Sequence, residues 1–229
     1  MSLILDGTNG ITNPAGSTTL LTAPTRQVFL TGTAATYTTP SGCRRIVVRE
    51  KAGGGGGGGT GTAGPNVGGV GGTTSFNSIT VVGGAGGRDY PVLGGTGGTG
   101  TASFRLAGAT GQTQIFQITS ATTARLFGGN GGGTGGGNGV ATSAGTAGVA
   151  NTGGGGAGGA VPGDTLANIP GYYGGSGGGE GEYCEIFITS PAATYTYSVG
   201  AGGTAGAANT AGYAGGAGGS GYIIVDEYY

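Results

Sequence analysis

Histidine and tryptophan are missing from this 229-residue chain, and lysine occurs once, at Lys51. Without histidine the chain lacks the side chain that ordinarily titrates near neutral pH, so histidine-based acid–base catalysis is excluded, and a zinc site would lack its usual nitrogen ligand. The lone lysine comes before the long glycine run. No Gly-Lys-Ser/Thr follows from it, which excludes a phosphate loop. Charge is scarce and balanced, 8 Lys+Arg against 9 Asp+Glu for a net −1. The one basic stretch, Arg44, Arg45, Arg49 and Lys51, is interrupted by Glu50, so no basic face for nucleic acid emerges. No segment approaches the ~20 apolar residues of a membrane-spanning helix, and Met1 to Asp6 show no signal-peptide pattern. The expectation is a soluble protein, made in a cytoplasm, without membrane insertion. Cys43 and Cys184 lack Cys-x-x-Cys spacing and read as two buried free thiols on strands, with a disulfide as the alternative. Leu, Ile, Val and Phe make 39 residues in all. That is too few for a conventional apolar core at this length, so backbone hydrogen bonding must replace part of the usual burial.

What is abundant is glycine, 64 residues. Gly53 to Gly59 is an unbroken run, and elsewhere the glycines keep a beat of three. Stepping from Gly200 gives Gly203, Gly206, Asn209, Gly212, Gly215, Gly218 and Gly221, with one break in phase. Gly94, Gly97 and Gly100 do the same, as do Gly171, Gly174 and Gly177. Three residues per turn is the period of the polyproline II conformation, whose N–H and C=O groups point sideways and find no partner within the helix. Collagen satisfies them with unbroken Gly-X-Y and abundant proline. Here there are 8 prolines and the runs are short, so collagen is rejected. The remaining ordered solution folds the runs against one another as polyglycine II helices, each N–H meeting a carbonyl of a neighbour. Disorder is the alternative, and the near-zero net charge argues against it.

In chain order, residues 1–25 are polar and turn-rich and form an attachment or oligomerisation segment; residues 26–229 form the second unit. Strands are expected at Gln27 to Thr31, Thr36 to Thr39, Arg44 to Lys51, Thr74 to Val82, Thr101 to Leu106, Gln112 to Thr119, Ala124 to Phe127, Glu182 to Ser190, Thr194 to Val199 and Tyr222 to Tyr228. Ser190-Pro191-Ala192-Ala193 reads as a hairpin turn. No helix is visible. If strands form a base, each glycine excursion must make an even number of passes. Residues 53 to 64 and 68 to 73, 83 to 87 and 94 to 100, 128 to 139 and 144 to 150, 153 to 160 and 174 to 181, and 200 to 207 and 214 to 221 then give ten passes and five distal turns. The expected fold is an all-β, antiparallel, sandwich-like base carrying a bundle of about ten polyglycine II helices, without α-helix.

Enzymatic readings fare badly. Glycine runs match G-x-G-x-x-G by composition, but no helix follows to complete a dinucleotide site. Glu180, Glu182 and Glu185 cluster, as glycosidase carboxylates do, yet Glu182 and Glu185 fall on opposite sides of a strand and read as solvated or ion-paired charges. No enzyme and no cofactor is implied. Bulky side chains are excluded from a glycine bundle and collect at the turns: Arg88, Asp89 and Tyr90; Asp164, Leu166, Asn168 and Ile169; Tyr172 and Tyr173; Asn209 and Tyr213. Tyrosine with Asn, Asp and Arg combines low-entropy contact area with directional hydrogen bonds, a mixture suited to binding a sugar or a protein loop. The competing reading is that these residues only close turns.

The ordered set Tyr37-Thr38-Thr39-Pro40-Ser41-Gly42, Arg45 to Arg49 running into Gly53 to Gly59, Thr74-Ser75-Phe76 before Gly83 to Gly87, Tyr195 to Gly203, and Gly218 to Val225 resembles the glycine-rich domain of phage tail-fibre and tail-tip proteins. Asp6 to Thr12 is similar to short repeats near the attachment regions of such fibres. The resemblance covers about residues 27 to 228. It implies a virion component of a tail fibre or tail tip, a homotrimer mounted on other fibre or baseplate subunits through its N-terminal segment. Its partner would be a host surface receptor, a glycan or an outer-membrane protein. In the adhesins of T-even-type phages the variable distal loops of a polyglycine II bundle bind that receptor, and the resemblance implies that role for the turns named above. The alternatives are a structural cap or trimeric spike that binds no receptor and, more distantly, an ice-binding module.

Overall fold

The computed structural model describes residues 4–6, 10–12, 23–60, 66–88, 92–95, 97–118, 124–141, 143–161, 174–209 and 212–229. Among them there is no helix, and the strands pair antiparallel. In chain order they are β1 (Ile4–Asp6), β2 (Gly10–Thr12), β3 (Thr25–Phe29), β4 (Ala35–Thr38), β5 (Arg45–Lys51), β6 (Thr74–Phe76), β7 (Ile79–Val81), β8 (Phe104–Leu106), β9 (Ile115–Ile118), β10 (Ala124–Phe127), β11 (Tyr183–Thr189), β12 (Thr194–Ser198) and β13 (Tyr222–Tyr228).

Two sheets carry the core. One has the order β3-β13-β5-β11-β8 and the other β4-β12-β6-β7. Alternation explains how they face each other. Ile46 and Val48 of β5 point one way, and with Cys184, Ile186, Ile223 and Val225 they meet Tyr37, Phe76, Val81 and Tyr197 of the second sheet in one buried cluster. The aromatic members supply much of the bulk that a valine-poor, leucine-poor sequence lacks. Phe76 and Tyr195 stack with centroids 5.0 Å apart, and Phe29 lies 4.5 Å from Tyr197.

The glycine segments leave this base from one end and are joined by backbone hydrogen bonds with a register of three. Residues 53–60 lie at the centre, and all are buried. Gly53, Gly56 and Gly59 donate their N–H to the carbonyls of Gly72, Gly69 and Asn66; Gly54, Gly57 and Thr60 donate to Gly219, Gly216 and Tyr213; Gly55 and Gly58 donate to Gly179 and Ser176. Their own carbonyls accept from three other segments. Gly84 and Gly87 donate to Gly53 and Gly56, Gly203, Gly206 and Asn209 to Gly54, Gly57 and Thr60, and Gly156 and Gly159 to Gly55 and Gly58. Successive residues thus point their bonds in three directions. Partner numbers fall by three in the segments that accept from residues 53–60, which therefore run antiparallel to them, and rise by three in the segments that donate, which run parallel. Side chains have no room in such an array: a Cβ on Gly57 would lie 1.9 Å from the Ala157 carbonyl oxygen, and one on Gly215 would lie 2.1 Å from that of Gly57.

The last excursion shows what the sequence beat encodes. Gly221, Gly218 and Gly215 donate to Gly200, Gly203 and Gly206, and Gly212 donates to Asn209 across the turn. Asn209, the one break in phase, sits where the array ends and a side chain has space.

Several expectations are corrected. Residues 74–82 are not one strand but the hairpin β6–β7, turned at Asn77, whose φ is +56°. Residues 190–193 do not close a hairpin, because β11 and β12 belong to different sheets; the segment is a corner between them. Residues 112–114 are not strand, and β9 and β10 pair with each other in a separate two-stranded sheet rather than joining the base. Residues 107–114 instead form a further outgoing segment, with Gly108 and Gly111 donating to Gly95 and Val92, so the excursions exceed the ten passes counted from sequence. Residues 143–149 run beside 214–217, Gly145 and Gly148 donating to Ala214 and Ala217. Residues 4–6 and 10–12 hold a short strand pair where only turns were expected. Both cysteines are free, but only Cys184 is buried, and Cys43 precedes β5 rather than lying on a strand.

One buried group conflicts with its surroundings. Glu50 continues the inward row of Ile46 and Val48, is fully buried, and neither carboxylate oxygen has a hydrogen-bond partner. Burial pushes its pKa up to about 8, with the Arg105 charge and the nearby Phe76 backbone N–H, which lies outside good hydrogen-bond geometry, opposing the shift and Glu182 adding to it. The neighbouring Cys184 thiol, opposite Glu50 on β11, is pushed up to about 12, chiefly by burial. Because the folded carboxyl keeps its proton up to about pH 8 and an unperturbed one loses it near 4.5, the protein has the full benefit below 4.5 and loses it as pH rises through 8. Replacing Glu50 by Gln therefore removes a decline in unfolding free energy on the order of a few kcal/mol over that window. Denaturant unfolding at pH 5 and pH 8.5 checks this: wild type should weaken relative to Glu50→Gln, and parallel curves would contradict it.

Candidate functional site

The end of the glycine array opposite the sandwich is closed by Thr60. Its side chain is fully buried. The hydroxyl donates to the Ala160 carbonyl at 2.5 Å and accepts the Tyr213 N–H at 2.9 Å, while the Thr60 N–H reaches the Tyr213 carbonyl, also at 2.9 Å. A glycine here would leave these groups unbridged. A hydroxyl on a β-branched residue bridges two incoming segments where the periodic bonds run out.

Around Thr60 the structure gathers three of the residues singled out from sequence. Asn209 donates its N–H to the Thr60 carbonyl, Tyr213 is joined to Thr60 as described, and Arg88 exchanges backbone bonds with Ser176, its N–H donating to Ser176 Oγ at 2.8 Å and its carbonyl accepting the Ser176 N–H at 2.6 Å. Arg88 is exposed, and Asn209 and Tyr213 are half-buried. Asn66 reaches the same rim, its side-chain amide donating to the Ala207 carbonyl at 2.9 Å. Asp89, Tyr90, Asp164, Leu166, Asn168, Ile169, Tyr172 and Tyr173 lie outside the described residues.

Two features of this end were not found from sequence. The first is the β9–β10 hairpin. Val161 donates to the Leu126 carbonyl, which fixes the hairpin beside the end of segment 153–161, and it presents Ile115 and Phe116 about half exposed. The signal was available: Gly108 and Gly111 keep the three-residue beat ahead of it, and a segment on that beat leaves the base. The second is a shallow apolar groove running down from the rim, lined by Val67, Val70, Val92 and Leu93 with Arg88 at its edge. Val70 and Leu93 are each 67% exposed.

The carboxylates considered for catalysis are each engaged by a cation of their own. Glu180 pairs with Lys51 at 2.7 Å, Glu182 with Arg105 at 3.1 Å and Glu185 with Arg49 at 3.3 Å. Glu182 also accepts the Val82 and Gly98 N–H groups. Each is neutralised by a different cation, an arrangement that holds strands and segments together. Among the described residues no group of three His, Cys, Asp or Glu side chains is placed to hold a metal ion, and no helix is long and apolar enough to cross a membrane. No protein-family model matches the chain, and no curated protein matches it.

Replacing Thr60 by Val keeps the shape and removes the bridging hydroxyl. We expect a loss of about 1–3 kcal/mol in thermal unfolding, since the Tyr213 N–H and Ala160 carbonyl then stay buried without it. A variant as stable as wild type would mean that the hydroxyl does not hold this end together.

Proposed function

We propose that the glycine-rich segments are polyglycine II helices packed as a bundle on the β-sandwich, and that the chain is a phage tail-fibre or tail-tip adhesin binding the host surface through the distal end of that bundle. The bundle reading is supported by the register of three and by the six neighbours of residues 53–60, three accepting its N–H groups and three donating to its carbonyls. A threefold helix sends successive peptide groups out at thirds of a turn, which is the pattern these bonds follow.

The observation that carries the functional reading is the mixture of side chains gathered where the array stops. Its interior admits little beyond glycine, alanine, serine and threonine, with Val70, Leu93 and Val149 on its outer surface, whereas Arg88, Asn209, Tyr213, Ile115 and Phe116 gather at its end. A stiff block of backbone that ends in a mixed aromatic, amide and cationic rim suits presentation to a glycan or an outer-membrane protein loop. On this reading the N-terminal segment mounts the chain on other tail subunits, and three copies on one fibre gain avidity from simultaneous contact.

Purified protein added to host cells should block adsorption of the phage that carries it. The Arg88→Ala, Tyr213→Ala double variant should block at least about tenfold less well at an unchanged melting temperature, consistent with loss of about 1.4 kcal/mol or more of contact energy. Undiminished blocking by the variant would move recognition away from this rim, and failure of wild type to block would favour a structural cap.

A further inference from the structure

Where the outer face of the sandwich meets the glycine segments there is a cleft of about 360 Å³, at the opposite end of the molecule from the rim around Thr60. Its floor is a single row across four strands. Leu106, Tyr183, Lys51 and Tyr222 are direct cross-strand neighbours on β8, β11, β5 and β13, so their side chains rise from the same face. Two tyrosines thus flank one lysine.

Lys51 does not present a net charge. Its ammonium donates to Glu180 Oε1 at 2.7 Å, both side chains are nearly buried, and Glu180 Oε2 accepts the Ala109 N–H at 3.0 Å. Two turns press on this pair. Gly133 and Gly153 have φ of +78° and +71°, and a Cβ on either would collide with it, 2.0 Å from Glu180 Cδ or 2.8 Å from Lys51 Cε. The same turns bring Thr134, Asn151 and Thr152 to the cleft. Asn151 is itself held at φ +60°, with its Oδ1 accepting the Ser220 hydroxyl at 3.0 Å, so its NH2 group is the end available to a ligand. Tyr183 is fixed as well, its hydroxyl donating to Glu185 Oε1 at 2.6 Å.

We propose that this cleft binds one unit of a neutral saccharide. Tyrosine rings offer apolar surface to the C–H face of a sugar ring, while the Asn151 amide, the Thr134 hydroxyl and the neutralised Lys51–Glu180 pair offer donors and acceptors to its hydroxyls. The charge balance disfavours an anionic ligand, since the cation already has its carboxylate. The cleft is of the size that takes small ligands, in the lower part of the ~300–1,000 Å³ range. This site stands on the sandwich face and two turns, and does not depend on the distal rim being a receptor site.

The test uses the full chain and the methyl glycosides of glucose, galactose, mannose and N-acetylglucosamine as probes. Binding is read from the glycoside's own NMR signals by saturation transfer from the protein, because the chain's 11 tyrosines would all contribute to a fluorescence signal. At least one glycoside should bind with a Kd of about 10 mM or tighter, as expected for a single sugar. Asn151→Gly, which keeps the turn's positive φ, and Tyr222→Leu, which keeps the bulk, should each weaken it at least about fivefold, a change of ~1 kcal/mol. Tyr213→Ala should leave it unchanged. No binding by any of the four, or binding unaltered in both cleft variants, overturns the proposal.

Discussion

The peptide–peptide hydrogen bond made sideways, between chain segments that form neither helix nor pleated sheet, is what everything else in this molecule depends on. A segment with three residues per turn and no internal bonds exposes every N–H and C=O, and each buried polar group left unpaired costs about as much as a lost hydrogen bond. Around residues 53–60 that cost is avoided by six neighbours rather than the two a strand would have. Close approach of so many backbones is possible only where side chains are absent, which is why a Cβ at Gly54, Gly55 or Gly56 would sit about 2 Å from a neighbouring carbonyl oxygen. Glycine, the residue that loses most entropy on ordering, is used here because nothing else allows the backbones to meet.

The sandwich sets the ends of that array. Ala52 donates to the Glu182 carbonyl, Thr74 Oγ1 donates to the Lys51 carbonyl and accepts from Gly200 N–H, and the ion pairs of Lys51, Arg49 and Arg105 tie β5 and β8 to the elements beside them. These buried polar links take the place of the apolar layer that would normally join two structural units. Partial burial makes the loss of one partner costly, because the other charge is left desolvated, and the same burial makes the carboxyl of Glu50 costly when charged.

Much of the base was legible from alternation. Strand β13 coincides with its expected limits, and β5, β11 and β12 fall within a residue of theirs, because a pleated strand with one buried face repeats every two residues. The connections were less legible. Whether residues 190–193 turn back in one sheet or step to the other depends on which partners β11 and β12 find, and those lie far away in sequence. The distal hairpin was misplaced for a related reason: residues 115–118 and 124–127 look like any strand pair, and only the faint beat of Gly108 and Gly111 betrays that the chain has already left the base. Arg88, Asn209 and Tyr213 were named from sequence because side chains that the bundle interior excludes gather at its turns, and the structure places all three around Thr60. The cleft between Tyr183 and Tyr222 had no sequence signal, since it is assembled by register across β11, β5 and β13 and by turns more than twenty residues from any of them.

Amide hydrogen exchange of Gly53 to Thr60, followed residue by residue by NMR, tests the central claim most directly. If the sideways bonds hold as described, these glycine amides exchange as slowly as those of Ile46 to Glu50 in strand β5, although they belong to no regular strand or helix. Exchange at the rate of an unstructured chain while β5 stays protected would contradict it.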